Sequence, residues 1–171
     1  EGEIIALKTV QLSASTMELP ERVERFQREF QLLTQLRHPN LVSVHEYGVT
    51  AEGELYFTME WVQGGDLNPD KRPLEPGATI PTMVQICRAL AYLHARGVIH
   101  GDLKPHNVLL AGYSGERVKL VDFGLALEVR SAEARARYYT PGYSAPEVKQ
   151  LRPADHRMDL YSLGAMWYAL L

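Results

Sequence analysis

The chain has 171 residues, 46% hydrophobic and 23% charged, with a net charge of −3. That is ordinary globular composition, long enough to bury a core, with no repeat or low-complexity linker in it. The slight negative charge offers no bulk attraction to a polyanion, so no nucleic-acid partner is expected, and the single cysteine, Cys87, excludes an internal disulfide and allows a reducing compartment.

Residues Ile4 to Val10 read as a strand, with Ile4, Ala6 and Lys8 on one face and Ile5 and Leu7 on the other. The first residues have neither the basic flank nor the apolar run of a signal peptide, and the chain begins abruptly, as if inside a hairpin. Gln11 to Leu19 reads as a polar loop, and Pro20 suits the first turn of a helix predicted over about Glu21 to Leu36. Phe26, Leu33 and Leu36 share a face of that helix, and Glu29 falls among them. On spacing alone Glu29 is an edge residue whose carboxylate reaches water, because an unpaired buried charge is costly.

His38-Pro39-Asn40 closes the helix, and two strands follow, Leu41 to Tyr47 and Leu55 to Val62, split by a turn at Ala51-Glu52-Gly53. Gly64-Gly65 breaks the second strand, and Asn68 to Pro81 reads as irregular. A second amphipathic helix is predicted over about Thr82 to Arg96, with Val84, Cys87, Leu90, Ala91 and Leu93 as its apolar side and Gly97 as its C-terminal cap. Short apolar runs follow at Val98-Ile99, Val108 to Leu110 and Val118 to Val121, the last two joined by a turn over Gly112 to Gly115. An arginine-rich polar segment covers Glu128 to Tyr139, and a last helix starts near Asp155. The apolar run from Met158 to Leu171 is interrupted and too short to span a bilayer, so no membrane segment is expected. A small sheet with one helix, followed by helices with short hairpins, predicts an α+β arrangement in two lobes with a hinge near Glu60 to Gly65. The partition is residues 1–62 for the first lobe portion, 63–66 for the hinge and 67–171 for the second lobe portion.

The densest polar cluster is the loop carrying His100, Asp102, Lys104 and Asn107, between two apolar runs. Asp122 stands fifteen residues after Asn107, directly after a predicted strand, and the hairpin is expected to bring the two together. An amide oxygen, a carboxylate and phosphate oxygens suit Mg²⁺. Asp102 is then available to take a proton from a hydroxyl, and Lys104 to neutralise a transferring phosphoryl group. His45, His94, His106 and His156 show no metal-ligand spacing and read as surface or loop histidines.

The order of these elements resembles the protein kinase family over nearly the whole chain. Ala6-Leu7-Lys8 is similar to the strand-lysine motif, Glu29 to the glutamate of the family's helix C, and Met59-Glu60-Trp61-Val62 to the gatekeeper and hinge. Asp66 after Gly64-Gly65 resembles the ribose contact, His100-Gly101-Asp102 the catalytic loop, and Asp122-Phe123-Gly124 the metal-binding motif. Ala145-Pro146-Glu147 resembles the end of the activation segment, and Asp159, with Ser162 and Gly164, the anchoring helix F. The resemblance implies a two-lobed protein-kinase-like fold, with a partial β-rich lobe containing helix C and a partial, mainly helical one. It implies use of ATP and Mg²⁺ and transfer of phosphoryl groups to Ser/Thr hydroxyls of protein substrates in the cytoplasm. In that reading Lys8, paired with Glu29, holds the α- and β-phosphates, and the hinge backbone at Glu60 and Val62, behind Met59, reads adenine. Ala6 and Leu109 sandwich the ring, Asp66 meets the ribose, Asn107 and Asp122 hold Mg²⁺, and Asp102 is the base assisted by Lys104. Lys104 and Thr140 imply Ser/Thr rather than tyrosine acceptors. Val44, Leu33, Phe123 and His100 fall where the family's regulatory spine runs.

The sequence departs from that pattern in three places. No glycine-rich loop precedes Lys8 and no helices follow the helix F segment, so this stretch alone is expected to bind ATP weakly, to be poorly stable and to leave Glu147 solvated or re-paired. Gly101 stands where the family usually has an arginine, which implies that phosphorylation of the following segment is not the main switch. Two other readings stand beside the first: a small-molecule phosphotransferase of the aminoglycoside or choline kinase type, which shares His-Gly-Asp, and a pseudokinase acting as a binding module.

Overall fold

A computed structural model describes residues 4–9, 19–68, 77–112, 117–123, 126–128, 140–150, 152–153 and 155–170. Gly124 and the segment with Arg130, Ser131, Arg135, Arg137, Tyr138 and Tyr139 lie outside them. The chain divides into two compact units, one of residues 1–37 and 42–61, the other of residues 38–41 and 62–171.

In the first unit, strands β1 (Ile5–Thr9), β2 (Val44–Val49) and β3 (Leu55–Glu60) form an antiparallel sheet in the order β1-β3-β2, accompanied by helix α1 (Leu19–Gln35). The period-two pattern of β1 is realised: Ala6 and Lys8 are half-buried, whereas Ile5 and Leu7 are exposed. Lys8 lies opposite Phe57 in the sheet. One extra residue in β2 between Val44 and Tyr47 makes a bulge against β3, and the Thr58 hydroxyl accepts the Glu46 N–H there at 3.1 Å. The core is aromatic, with Phe26 and Phe57 ring centres 4.9 Å apart and Phe30 and Tyr47 5.3 Å apart. Leu33 and Val44 are buried with them.

The second unit contains β4 (Gly64–Asp66), α2 (Thr79–His94), β5 (Val98–Ile99), a 3-10 turn (Pro105–Asn107), β6 (Val108–Ala111), β7 (Arg117–Leu120), β8 (Leu127–Glu128), α3 (Pro146–Lys149) and α4 (Arg157–Leu170). Two expectations fail at the start of this unit. Gly64-Gly65 does not end the strand structure: it opens β4, which pairs with β6 so that Asp66 faces Leu109. Helix α2 begins three residues before the predicted start, and Pro81 sits in its first turn, where a missing N–H breaks no helical bond.

The buried side of α2 is also rotated from the expected one. Met83, Ile86, Ala89, Leu90 and Leu93 are buried, while Val84, Cys87 and Ala91 are exposed. Both stripes have helical spacing, and packing on the neighbouring strands selects one of them. Gly97 caps the helix as expected, with φ +72 and its N–H on the His94 carbonyl. Leu41 is not in β2; it makes an isolated parallel bridge to Leu120. Helix α4 starts behind Asp155, whose Oδ1 accepts the Arg157 N–H at 2.8 Å as a cap. The Arg157 guanidinium holds the Asp155 carboxyl down at about 2. Among the described residues no helix is long and apolar enough to cross a membrane.

Glycine is required at position 64 by close approach. A Cβ there would lie 1.8 Å from the Leu110 carbonyl oxygen in the paired strand. Gly64→Ala is expected to push β4 off β6 and to destabilise the protein by about 1–3 kcal/mol, the usual cost of overpacking. Urea unfolding of the two proteins measures this, and equal midpoints would contradict it.

Candidate functional site

In the first unit the position of Glu29 is settled by charge. Its carboxylate is 5% exposed, and Oε1 accepts the Lys8 ammonium at 2.6 Å. The edge reading from spacing alone is therefore wrong: α1 turns Glu29 inward, and β1 brings a cation from 21 residues away. Lys8 also lies 5.7 Å from the Phe57 ring centre, a favourable cation–π position. Ala6 and Met59 face one another across β1 and β3, and Glu60 ends β3 with its N–H on the Ser43 carbonyl.

In the second unit the loop after β5 is shaped by Asp159 of α4, a carboxylate with 1% exposure. Its Oδ2 accepts the His100 N–H at 2.9 Å, and its Oδ1 accepts the Gly101 N–H at 3.0 Å. Gly101 has φ +78, a conformation that costs a side-chain-bearing residue energy and glycine almost none. The turn tucks the His100 ring inside, where Nε2 lies 3.2 Å from the Val121 carbonyl and the ring centre 4.8 Å from that of Phe123.

The next residue is Asp102, and three side chains converge on it. Lys104 Nζ donates to Oδ2 at 2.6 Å, Asn107 Nδ2 donates to Oδ2 at 3.1 Å, and the Thr140 hydroxyl donates to Oδ1 at 2.6 Å. A carboxylate has about four acceptor positions, so roughly one remains open. Asn107 Nδ2 also donates to the Asp102 carbonyl at 2.8 Å, which fixes the amide with its nitrogen engaged and leaves its oxygen as the atom able to meet a cation. The Val121 N–H donates to the Asn107 carbonyl at 3.0 Å, which holds the backbone just before Asp122 against Asn107. Asp122 has φ +62, a region that aspartate tolerates better than most residues. An amide oxygen such as that of Asn107 and a carboxylate such as that of Asp122 are hard donors of the kind that fit Mg²⁺, which commonly takes one or two protein oxygens and completes its shell with phosphate and water. Val62 and Leu109 are half-buried. Asp66, at the end of β4, has its carboxylate 3.8 Å from His106.

Inspection of the sequence missed His94. It is not a surface histidine: its ring is 16% exposed, and Nε2 lies 2.8 Å from Asp159 Oδ2. Helix α2 therefore supplies a third partner for the anchoring carboxylate. A lone histidine in the last turn of a helix carries no signal for this, because its partner is 65 residues away. Glu147 is half-buried.

A small antiparallel sheet with one helix, followed by a mainly helical unit with short hairpins, is the two-lobed α+β arrangement of a protein-kinase-like fold. Comparison with known proteins names the class more closely. The protein kinase domain matches residues 1–171. The chain is 38% identical over 161 residues to serine/threonine-protein kinase pkn3 of Myxococcus xanthus, covering 87% of this chain and 29% of that protein. It is 37% identical over 177 residues to Pkn1 of the same organism, covering 99% of this chain and 25% of the relative. A calcium/calmodulin-dependent protein kinase type II of Caenorhabditis briggsae is 39% identical over 153 residues, covering 86% of this chain and 28% of that protein. The chain belongs to the protein kinase domain family, and it spans less than a third of the length of these relatives.

Asp159 is the residue on which the loop geometry hangs. Asp159→Ala leaves two backbone N–H groups of the loop without their acceptor, each worth about 1–3 kcal/mol when buried. Amide hydrogen exchange at His100 and Gly101 is expected to accelerate strongly in this variant, ahead of exchange in the β2–β3 hairpin. Unchanged protection at those two amides would refute the anchoring role.

Proposed function

We propose that this chain carries the phosphoryl-transfer site of a cytoplasmic serine/threonine protein kinase that uses ATP and Mg²⁺. The observation that supports it best is the Asp102 carboxylate, buried and held by Lys104, Asn107 and Thr140 with one acceptor position left over. Asp102 receives the proton of a serine or threonine hydroxyl and aims its oxygen. Lys104 is within reach of the same carboxylate and counters the charge that develops on the phosphoryl group. Asn107 and Asp122 supply the oxygen ligands for Mg²⁺, which when bound neutralises phosphate charge. Lys8, oriented by Glu29, takes the α- and β-phosphates. Ala6 and Leu109 are the apolar contacts of the adenine ring, Met59, Glu60 and Val62 the hinge region that reads its edge, and Asp66 the ribose acceptor. Transfer of this kind needs mainly positioning and charge stabilisation, which these residues provide. The serine/threonine names of the relatives and the Thr140 contact to Asp102 support hydroxyl acceptors of that type over tyrosine.

The test is transfer of the γ-phosphate from ATP to a generic Ser/Thr protein substrate by the full-length protein. Asp102→Asn and Lys8→Met are expected to lower the rate by about 10²-fold or more, the scale on which general acid–base and electrostatic groups act. Transfer unaffected by both substitutions would sink the mechanism and favour a binding module.

Gly101 bears on regulation. Its position offers a left-handed backbone and no guanidinium to gather a phosphate. Alanine at Ser131, Tyr138 and Tyr139 is therefore expected to leave activity of the full-length enzyme nearly unchanged. A large loss in the same transfer assay would show that phosphorylation of this segment is the switch after all.

A further inference from the structure

Strand β7 is the outer strand of its sheet, in the order β4-β6-β7. An outer strand presents backbone groups that another strand could pair with. Here the far side of β7 is taken by two amides and a short stretch of chain. The Val118 N–H donates to Gln85 Oε1 at 3.0 Å, and the Val118 carbonyl accepts Asn40 Nδ2 at 2.9 Å. Asn40 Nδ2 also donates to Gln85 Oε1 at 2.9 Å, so the two side chains are joined. The Leu120 N–H donates to the Asn40 carbonyl at 2.9 Å, and Lys119 Nζ donates to the Leu41 carbonyl at 3.1 Å. Asn40 is buried and Gln85 half-buried on α2. The orientation of the Gln85 amide is fixed chemically, since only its oxygen can accept from a backbone N–H.

The strand held in this way runs through Val121, bonded to the Asn107 carbonyl, into Asp122. The register of β7 therefore sets where Asp122 stands relative to Asn107. We infer that the Asn40–Gln85 clip is a positioning device for the Asn107–Asp122 pair, with Gln85 as its central residue although it touches neither nucleotide nor acceptor. This rests on the reading of Asn107 and Asp122 as the Mg²⁺ ligands. Helix α2 is a rigid support, and the clip transmits its position to the strand by hydrogen bonds that water would otherwise compete for.

The test uses the full-length protein, with the rate of phosphoryl transfer measured against free Mg²⁺ at saturating ATP. Adenosine binding and thermal melting are followed alongside. Gln85→Leu removes the acceptor at nearly constant size, and it is expected to raise the Mg²⁺ needed for half-maximal rate by about fivefold, the scale of one net hydrogen bond. Adenosine affinity is expected to stay the same. Gln85→Glu keeps an oxygen for both donors and is expected to return the Mg²⁺ requirement to near wild type. Asn40→Asp, which loses the amide donor, gives a second route to the same shift should the leucine variant not fold. A Mg²⁺ curve for Gln85→Leu or Asn40→Asp that superimposes on wild type overturns the proposal, even if the melting temperature falls. So does a shift in Gln85→Glu as large as that in Gln85→Leu. Asp122→Asn separates the two levels: if it leaves the Mg²⁺ requirement unchanged, the metal reading itself fails and the clip's role with it.

Discussion

The arrangement of the second unit depends on one buried carboxylate. Asp159 projects from α4 into a space where a lone charge would be strongly disfavoured, and it is met there by the His100 N–H, the Gly101 N–H and the His94 ring. The need is mutual. An irregular loop inside a protein has backbone groups that no helix or sheet satisfies, and a two-oxygen acceptor answers two of them at once. Gly101 makes the convergence possible, because its left-handed turn aims successive N–H groups at the same side chain. Asp102 follows directly, so its carboxylate inherits the rigidity of that turn.

The buried acids come as matched pairs, one in the first unit and two in the second. Glu29 has Lys8, Asp102 has Lys104, and Asp159 has His94. Each acid is buried and each nitrogen partner partly exposed, so the partner keeps contact with water while it bonds the carboxylate. Removing one member leaves the other stranded, so single substitutions at these positions report the loss of a pair rather than the value of one group. Asp102, Lys104, Asn107 and Thr140 are coupled more tightly still, since all four share one carboxylate.

Much of this was legible from residue order. The alternation of β1 showed which side of the strand carries Lys8, and the 3.6-residue period of α1 put Glu29 on the apolar face. Spacing set it among apolar neighbours yet read it as a solvated edge residue, and the resemblance to the kinase family supplied Lys8 as the missing charge. The loop from His100 to Asn107 and the hairpin leading to Asp122 could be read as one site because both are local in sequence.

What could not be read depends on contacts between distant segments. Helix α2 has two apolar stripes of equal helical quality, and only packing decided that Ile86 and Leu90 face inward while Val84 and Cys87 do not. The pairing of β4 with β6 turned two glycines from a break into a strand, because a close backbone approach needs the absence of a Cβ and local propensity cannot register it. His94 and Gln85 acquired partners 65 and 33 residues away. The sequence by itself determined which chemical groups are present and which short elements present them, since periodicity and turn chemistry are properties of neighbouring residues. The tertiary structure decided which buried charge meets which donor, because hydrogen bonds and ion pairs form only where long-range packing brings distant segments together.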